Sequence, residues 1–185
     1  EYARRFGVYD DLLPVLAMSL GAGETTLLRM VTAYAMIANG GKQVQATFID
    51  RIQDRWGKSV WRHDDRTCEG CKAEAWAAGL TEPEVADDRK QILDPHTAYQ
   101  ITSIMEGVVQ RGTATSLKAL GMPIAGKTGT TNDEKDAWFI GFTPDLVVGV
   151  FVGYDTPRPM GKGQTGGNVA APIFGEFVKT ALAGK

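Results

Sequence analysis

Apolar residues in this chain recur with helical spacing in some stretches and crowd into short extended runs in others. Over residues 25–39, Leu27, Leu28, Val31, Tyr34, Ala35, Ile37 and Ala38 return every three or four positions, which predicts a helix with one wide apolar face. Thr25 or Thr26 is placed to cap its start and Gly40-Gly41 to stop it. A second helix should open at Asp94-Pro95, an acidic cap followed by proline in the first turn, and run along Ala98, Ile101, Ile104, Met105 and Val108 to Gly112. Thr115 or Ser116 can then cap a short helix ending near Gly121. Beyond Met122-Pro123-Ile124-Ala125 come the segment 126–131 and two strand-like runs, 137–143 and 146–154, joined at Pro144-Asp145. Together they read as three neighbouring antiparallel strands. Residues 155–167, dense in Gly and Pro, predict a loop, and Ile173, Phe174, Phe177, Val178 and Leu182 predict a last helix opening at Asn168 or Pro172.

The remaining stretches are less regular. Tyr2, Phe6, Val8 and Leu12-Leu13-Pro14 suggest the end of a helix and a linker within residues 1–23. Residues 47–53 and 58–62 flank Asp54-Arg55-Trp56-Gly57 and form a candidate hairpin, with Trp56 and Trp61 either half-buried or, less simply, a stacking surface for a sugar. Residues 63–91 are charged, with weak periodicity apart from 73–78, and read as a polar surface insertion. His63 has no nucleophilic companion nearby in sequence and reads as solvated, and His96, in the exposed first turn of the second helix, reads as structural. A last helix packed on an antiparallel sheet completes the layer that a half-buried sheet needs, so the fold class is α+β, an antiparallel sheet flanked by helices.

Composition narrows the function. The 185 residues are 43% hydrophobic and 23% charged, ordinary for a globular domain with a real core. A net charge of −2 carries no basic footprint for nucleic acid. No apolar run approaches the roughly 18 residues that span a bilayer, and Glu1-Tyr2-Ala3-Arg4-Arg5 is not a signal peptide, so a membrane anchor is expected only upstream of Glu1. Cys68 and Cys71 are the chain's two cysteines; without a second pair or histidines at finger spacing they make a poor zinc site, and they lack the βαβ context of a redox motif.

The stretch with chemistry is Gly126-Lys127-Thr128-Gly129-Thr130-Thr131 on the first of the three strands. A cation, hydroxyl donors and a glycine that lets a ligand lie against the backbone make a compact site for a carboxylate. The loop that follows holds Asp133, Glu134 and Asp136, which lack a calcium-loop pattern and read as solvated charges.

These residues resemble the penicillin-binding proteins, for which Lys-Thr-Gly is a signature. The likeness extends over Ser19-Leu20-Gly21-Ala22-Gly23-Glu24-Thr25-Thr26, Tyr34-Ala35, Ala38-Asn39-Gly40-Gly41, Arg111-Gly112-Thr113-Ala114 and Trp138-Phe139-Ile140-Gly141-Phe142-Thr143-Pro144, and is weakest over residues 63–91. It looks most like the transpeptidase domain of the class A, bifunctional members, whose fold is that of the serine β-lactamases. The resemblance implies peptidoglycan stem peptides and β-lactams as ligands, no cofactor and no metal, and a place on the periplasmic face of the bacterial cytoplasmic membrane. It also makes a local Cys68–Cys71 disulfide the expected state of the cysteines.

Carried over by position, Lys127 is the catalytic cation, Thr128 and Thr130 donate to the substrate carboxylate, the Thr130 N–H serves the oxyanion, and Gly129 and Thr131 complete the substrate-binding strand. Arg111-Gly112-Thr113-Ala114 is expected to support it. One departure limits the analogy. The family nucleophile lies in Ser-x-x-Lys and its second motif is Ser-x-Asn, yet neither pattern surrounds Ser19, Ser59, Ser103 or Ser116. The expectation is therefore that residues 1–185 are the C-terminal portion of one transpeptidase domain, with both motifs upstream or on another chain. The competing expectation is a penicillin-recognising sensor or scaffold without a nucleophile.

Overall fold

The structure is a computed structural model, and it describes residues 1–71, 75 and 77–184. The expected periodicity over 73–78 lies mostly outside the described residues. The chain folds as two units, residues 1–44 with 91–185, and residues 45–90.

The first unit is built on a three-stranded antiparallel sheet in the order β5, β6, β7: Ala125–Thr130, Asp136–Phe142 and Val147–Gly153. The central strand is clad on both faces. Phe139 pairs with Val150 on β7 and meets Phe174 of α4 (Ala171–Ala181) edge to face, ring centres 4.8 Å apart. On the other face Gly149, opposite Ile140, lies so close to Leu27 and Val31 of α2 (Leu27–Ala38) that an added Cβ would stand 2.4 Å from Val31. Phe139 and Phe174 share one core with Val109, Ala114, Leu117, Ile124 and Val178, whereas Phe142 joins Met105 and Ala125 under Tyr34 and Ile37. Alternation along β6 thus feeds two cores, one per face.

The helices begin where their caps predict. Thr26 accepts the backbone N–H of Arg29 at the start of α2. Asp94 accepts those of Thr97 and His96 at the start of α3 (Pro95–Arg111), and these bonds hold its carboxyl below the usual carboxylate range. A short helix α1 (Tyr2–Arg5) and a 3-10 turn (Leu16–Leu20) occupy the start of the chain. The short helix expected near residues 115–121 is a 3-10 turn, Thr115–Leu120, with Ala114 at its cap position and no side-chain cap from Thr115 or Ser116. Where the sequence suggested a loop up to residue 167, a wide π-helical turn, Gly166–Ala170, already leads into α4.

The second unit holds two small antiparallel ribbons. β1 (Arg51–Gln53) and β2 (Ser59–Arg62) form the expected hairpin, closed by Asp54, which accepts from Trp56 and Lys58, with Gly57 at φ +83°. Trp61 is half-buried, as expected, at 44% exposed, whereas Trp56 at the hairpin tip is 76% exposed: a two-stranded ribbon has no second layer to cover it. β3 (Cys68–Glu69) pairs with β4 (Glu84–Val85) inside the stretch read as an irregular insertion, and Cys68 is bonded to Cys71, Cα atoms 5.6 Å apart.

The Phe139–Phe174 contact joins the sheet to the last helix. Phe174→Ala is expected to lower the unfolding free energy by about 3–5 kcal/mol, measured by urea unfolding, with no comparable loss for Ile173→Ala, whose side chain is half exposed.

Candidate active site

The register of the sheet decides which groups of β5 are free. Thr131 N–H donates to the Asp136 carbonyl across the β5–β6 turn, so these two face each other as a hydrogen-bonded pair. Pairs alternate in an antiparallel ladder, which makes Gly129↔Trp138 and Lys127↔Ile140 hydrogen-bonded pairs as well. Thr128 and Thr130 then direct their N–H and C=O groups away from β6, to the open margin of the sheet. The Thr128 carbonyl is found there, accepting from Lys127 Nζ at 2.8 Å.

The side chains follow the same alternation. Thr128 and Thr130 stand opposite Phe139 and Ala137, on the α4 side; Lys127 stands opposite Ile140, on the α2 side. The cation and the hydroxyls therefore do not share a face. They meet at the margin, because the Lys127 side chain curls back to the strand edge. Gly129 is not needed for a positive φ; its Cβ would stand 3.1 Å from Trp138 Cβ, so it is the Trp138 side chain that presses on this position. Thr131 is engaged in the turn, its Oγ1 accepting from Asp136 N–H at 2.8 Å.

Two segments distant in sequence close on the strand from the α4 side. Thr113, which follows α3, places Oγ1 2.7 Å from Thr128 Oγ1. Gly166 donates its N–H to Thr130 Oγ1 at 3.0 Å. Both Gly166 and its neighbour approach backbone too closely for any side chain: a Cβ on Gly166 would lie 2.3 Å from the Trp138 carbonyl and 2.6 Å from that of Gly129, and one on Gly167 would lie 2.3 Å from the Thr113 carbonyl. The wide first turn delivers this backbone to the strand.

The acidic loop corrects the sequence reading. Glu134 is not a solvated charge: both of its carboxylate oxygens accept from Gly163 N–H, at 2.8 and 3.0 Å, and its carbonyl accepts from Met160 N–H. Asp133 and Glu134 hold φ of 61° and 54°, a left-handed pair that costs on the order of 1–2 kcal/mol per residue and persists because those bonds define it. Asn168 Nδ2 donates to the Gly163 carbonyl from the other side. The glycine-rich loop is thus clipped to the end of β5. Among the described residues no group of His, Cys, Asp and Glu could hold a metal ion.

Residues 14–179 match the model of the penicillin binding protein transpeptidase domain. The chain belongs to that family. It is 49% identical over 182 residues to Penicillin-binding protein 1A of Rickettsia bellii and 43% identical over 187 residues to Penicillin-binding protein 1A of Neisseria gonorrhoeae. These alignments cover 98% and 100% of this chain but 23% and 21% of those proteins, so the chain spans under a quarter of the length of the curated relatives it matches. Among solved structures, the crystal structure of Penicillin-Binding Protein 1A from Haemophilus influenzae superposes with a TM-score of 0.78 at 27% identity, covering 98% of this chain and 30% of that one. The penicillin-binding fold, expected from the resemblance, is the fold observed.

Gly166→Ala is expected to lower the melting temperature by several degrees, since the added methyl must displace backbone on either side. Differential scanning calorimetry checks this, with Gly163→Ala, which meets no atom within 4 Å but sits at φ +84°, as the comparison for strain without crowding.

Proposed function

We propose that this chain supplies the carboxylate-binding strand of a peptidoglycan D,D-transpeptidase, and that the nucleophilic serine comes from polypeptide outside these 185 residues. The observation that carries this reading is the open margin of β5, where the Thr128 and Thr130 backbone groups, their hydroxyls and Lys127 Nζ are gathered. A stem peptide ending in D-Ala-D-Ala would lie along that margin as an added strand, exchanging main-chain hydrogen bonds with Thr130. Its terminal carboxylate would be held by the hydroxyls of Thr128 and Thr130 in the field of Lys127.

The reaction is acyl transfer. The serine oxygen attacks the penultimate carbonyl, whose developing oxyanion receives the Thr130 N–H; the C–N bond breaks, and the terminal D-alanine leaves with a proton on its amine. The amine of a second stem then attacks the ester carbonyl, forming the cross-link and returning the serine its proton. A β-lactam enters the first step and, lacking a leaving fragment, stays as the ester. Catalysis by a serine-type transpeptidase, with the active site completed by Ser-x-x-Lys and Ser-x-Asn segments, requires no cofactor. The enzyme acts at the periplasmic face of the bacterial cytoplasmic membrane. No helix among the described residues is long and apolar enough to cross a membrane, so this reading assigns the anchor to another segment.

In the complete natural polypeptide, Lys127→Ala and Thr130→Val are each expected to slow acylation by a fluorescent penicillin at least tenfold, measured as the second-order rate of labelling on denaturing gels. Unchanged rates in both variants would remove β5 from the active site. Absence of any label on the wild-type polypeptide, with binding retained, would instead favour a penicillin-recognising sensor.

A further inference from the structure

The hydroxyls of Thr128 and Thr130 each have one protein partner among the described residues, and in both cases it lies outside the strand. A hydroxyl has one proton to give and lone pairs to receive. The Gly166 N–H can only donate, so its bond to Thr130 Oγ1 uses a lone pair and leaves the Thr130 proton free. A carboxylate only accepts, so a Thr128 that serves the same ligand must also keep its proton free. That is possible when Thr113 is the donor in the Thr113–Thr128 pair.

Thr113 is held where it can do this. Gly112 and Ala114 both donate their N–H groups to the Val108 carbonyl, folding the chain sharply after α3, and Ala114 is fully buried. On its other side the Gly167 backbone lies against the Thr113 carbonyl. The Thr113 side chain itself is exposed at the same margin as Thr128. Donation to Thr128 Oγ1 also polarises the Thr128 O–H and strengthens it as a donor.

We propose that Thr113 is a positioning residue for the carboxylate site: it donates to Thr128 as Gly166 donates to Thr130, so that both threonine protons are offered to one planar anion. This rests on the reading of β5 as the carboxylate-binding strand.

The test uses the complete natural polypeptide and acylation by benzylpenicillin and by its uncharged methyl ester. Thr113→Val is expected to slow acylation by benzylpenicillin about tenfold while changing that by the ester little, and Thr113→Ser to restore the rate. Thr128→Val should show the same preference, and adding Thr113→Val to it should cost nothing further, since the two act through one hydroxyl. A wild-type rate in Thr113→Val with a slow Thr128→Val would overturn the role of Thr113 and leave the strand reading intact. So would multiplying losses in the double variant, an equal loss on the ester, or a lowered melting temperature shared by Thr113→Ser with equal loss of labelling. A wild-type rate in Thr128→Val would sink the strand reading itself, and the proposal with it.

Discussion

Backbone lying where a side chain would otherwise be is the constraint on which the site depends. The chain at Gly166 approaches within contact of the Trp138 and Gly129 carbonyls, and that at Gly167 rests against Thr113. The first approach brings an amide onto the Thr130 hydroxyl, the second fixes the segment that carries the Thr113 hydroxyl. Neither could form around a Cβ. The surrounding structure serves this closeness: a wide helical turn that pushes the backbone forward, a carboxylate that clips the preceding loop, and two left-handed residues that aim the carboxylate.

On the proposed function, the division of β5 between two faces would give the ligand its place. Were Lys127, Thr128 and Thr130 on one face, a bound carboxylate would have to lie on the sheet, where α4 or α2 would cover it. With hydroxyls on one side and the ammonium curling round from the other, the meeting point is the margin, and a margin also carries a row of unpaired main-chain groups. On the proposed function, recognition of an anion and recognition of an extended backbone would come from the same few residues. This is an economical arrangement for a substrate that is a peptide ending in a carboxylate.

Much of the fold was legible because its signals are local. The threonine and aspartate caps of α2 and α3, the turn at Pro144-Asp145 and the apolar face of α4 act over three or four residues, and each element formed where they stand. The strand Ala125–Thr130, proposed to bear the site, also formed where the sequence placed it. The resemblance placed Arg111-Gly112-Thr113-Ala114 beside that strand, where Thr113 meets Thr128, but other contacts between residues far apart in the chain could not be read. Glu134 looked like one more loop acid because the amide that it binds is 29 positions away, and the glycines at 166 and 167 looked like loop punctuation because the carbonyls that exclude their side chains belong to β6, to β5 and to the segment after α3. The exposure of Trp56 was missed for a related reason: aromatic residues promise burial, but only a second layer can deliver it, and the ribbon of residues 51–62 has none.

The helix that ends the chain has a consequence for the electrostatics of the strand. The π turn at Gly166 and α4 form one continuous coil, so the amide given to Thr130 belongs to the amino end of a row of aligned peptide dipoles. That end is equivalent to roughly half a positive charge. It would add to the potential felt by an anion at the threonine hydroxyls, and it has no proton to lose. Because the helix's contribution comes from backbone amides, it is the same at every pH at which the protein stays folded.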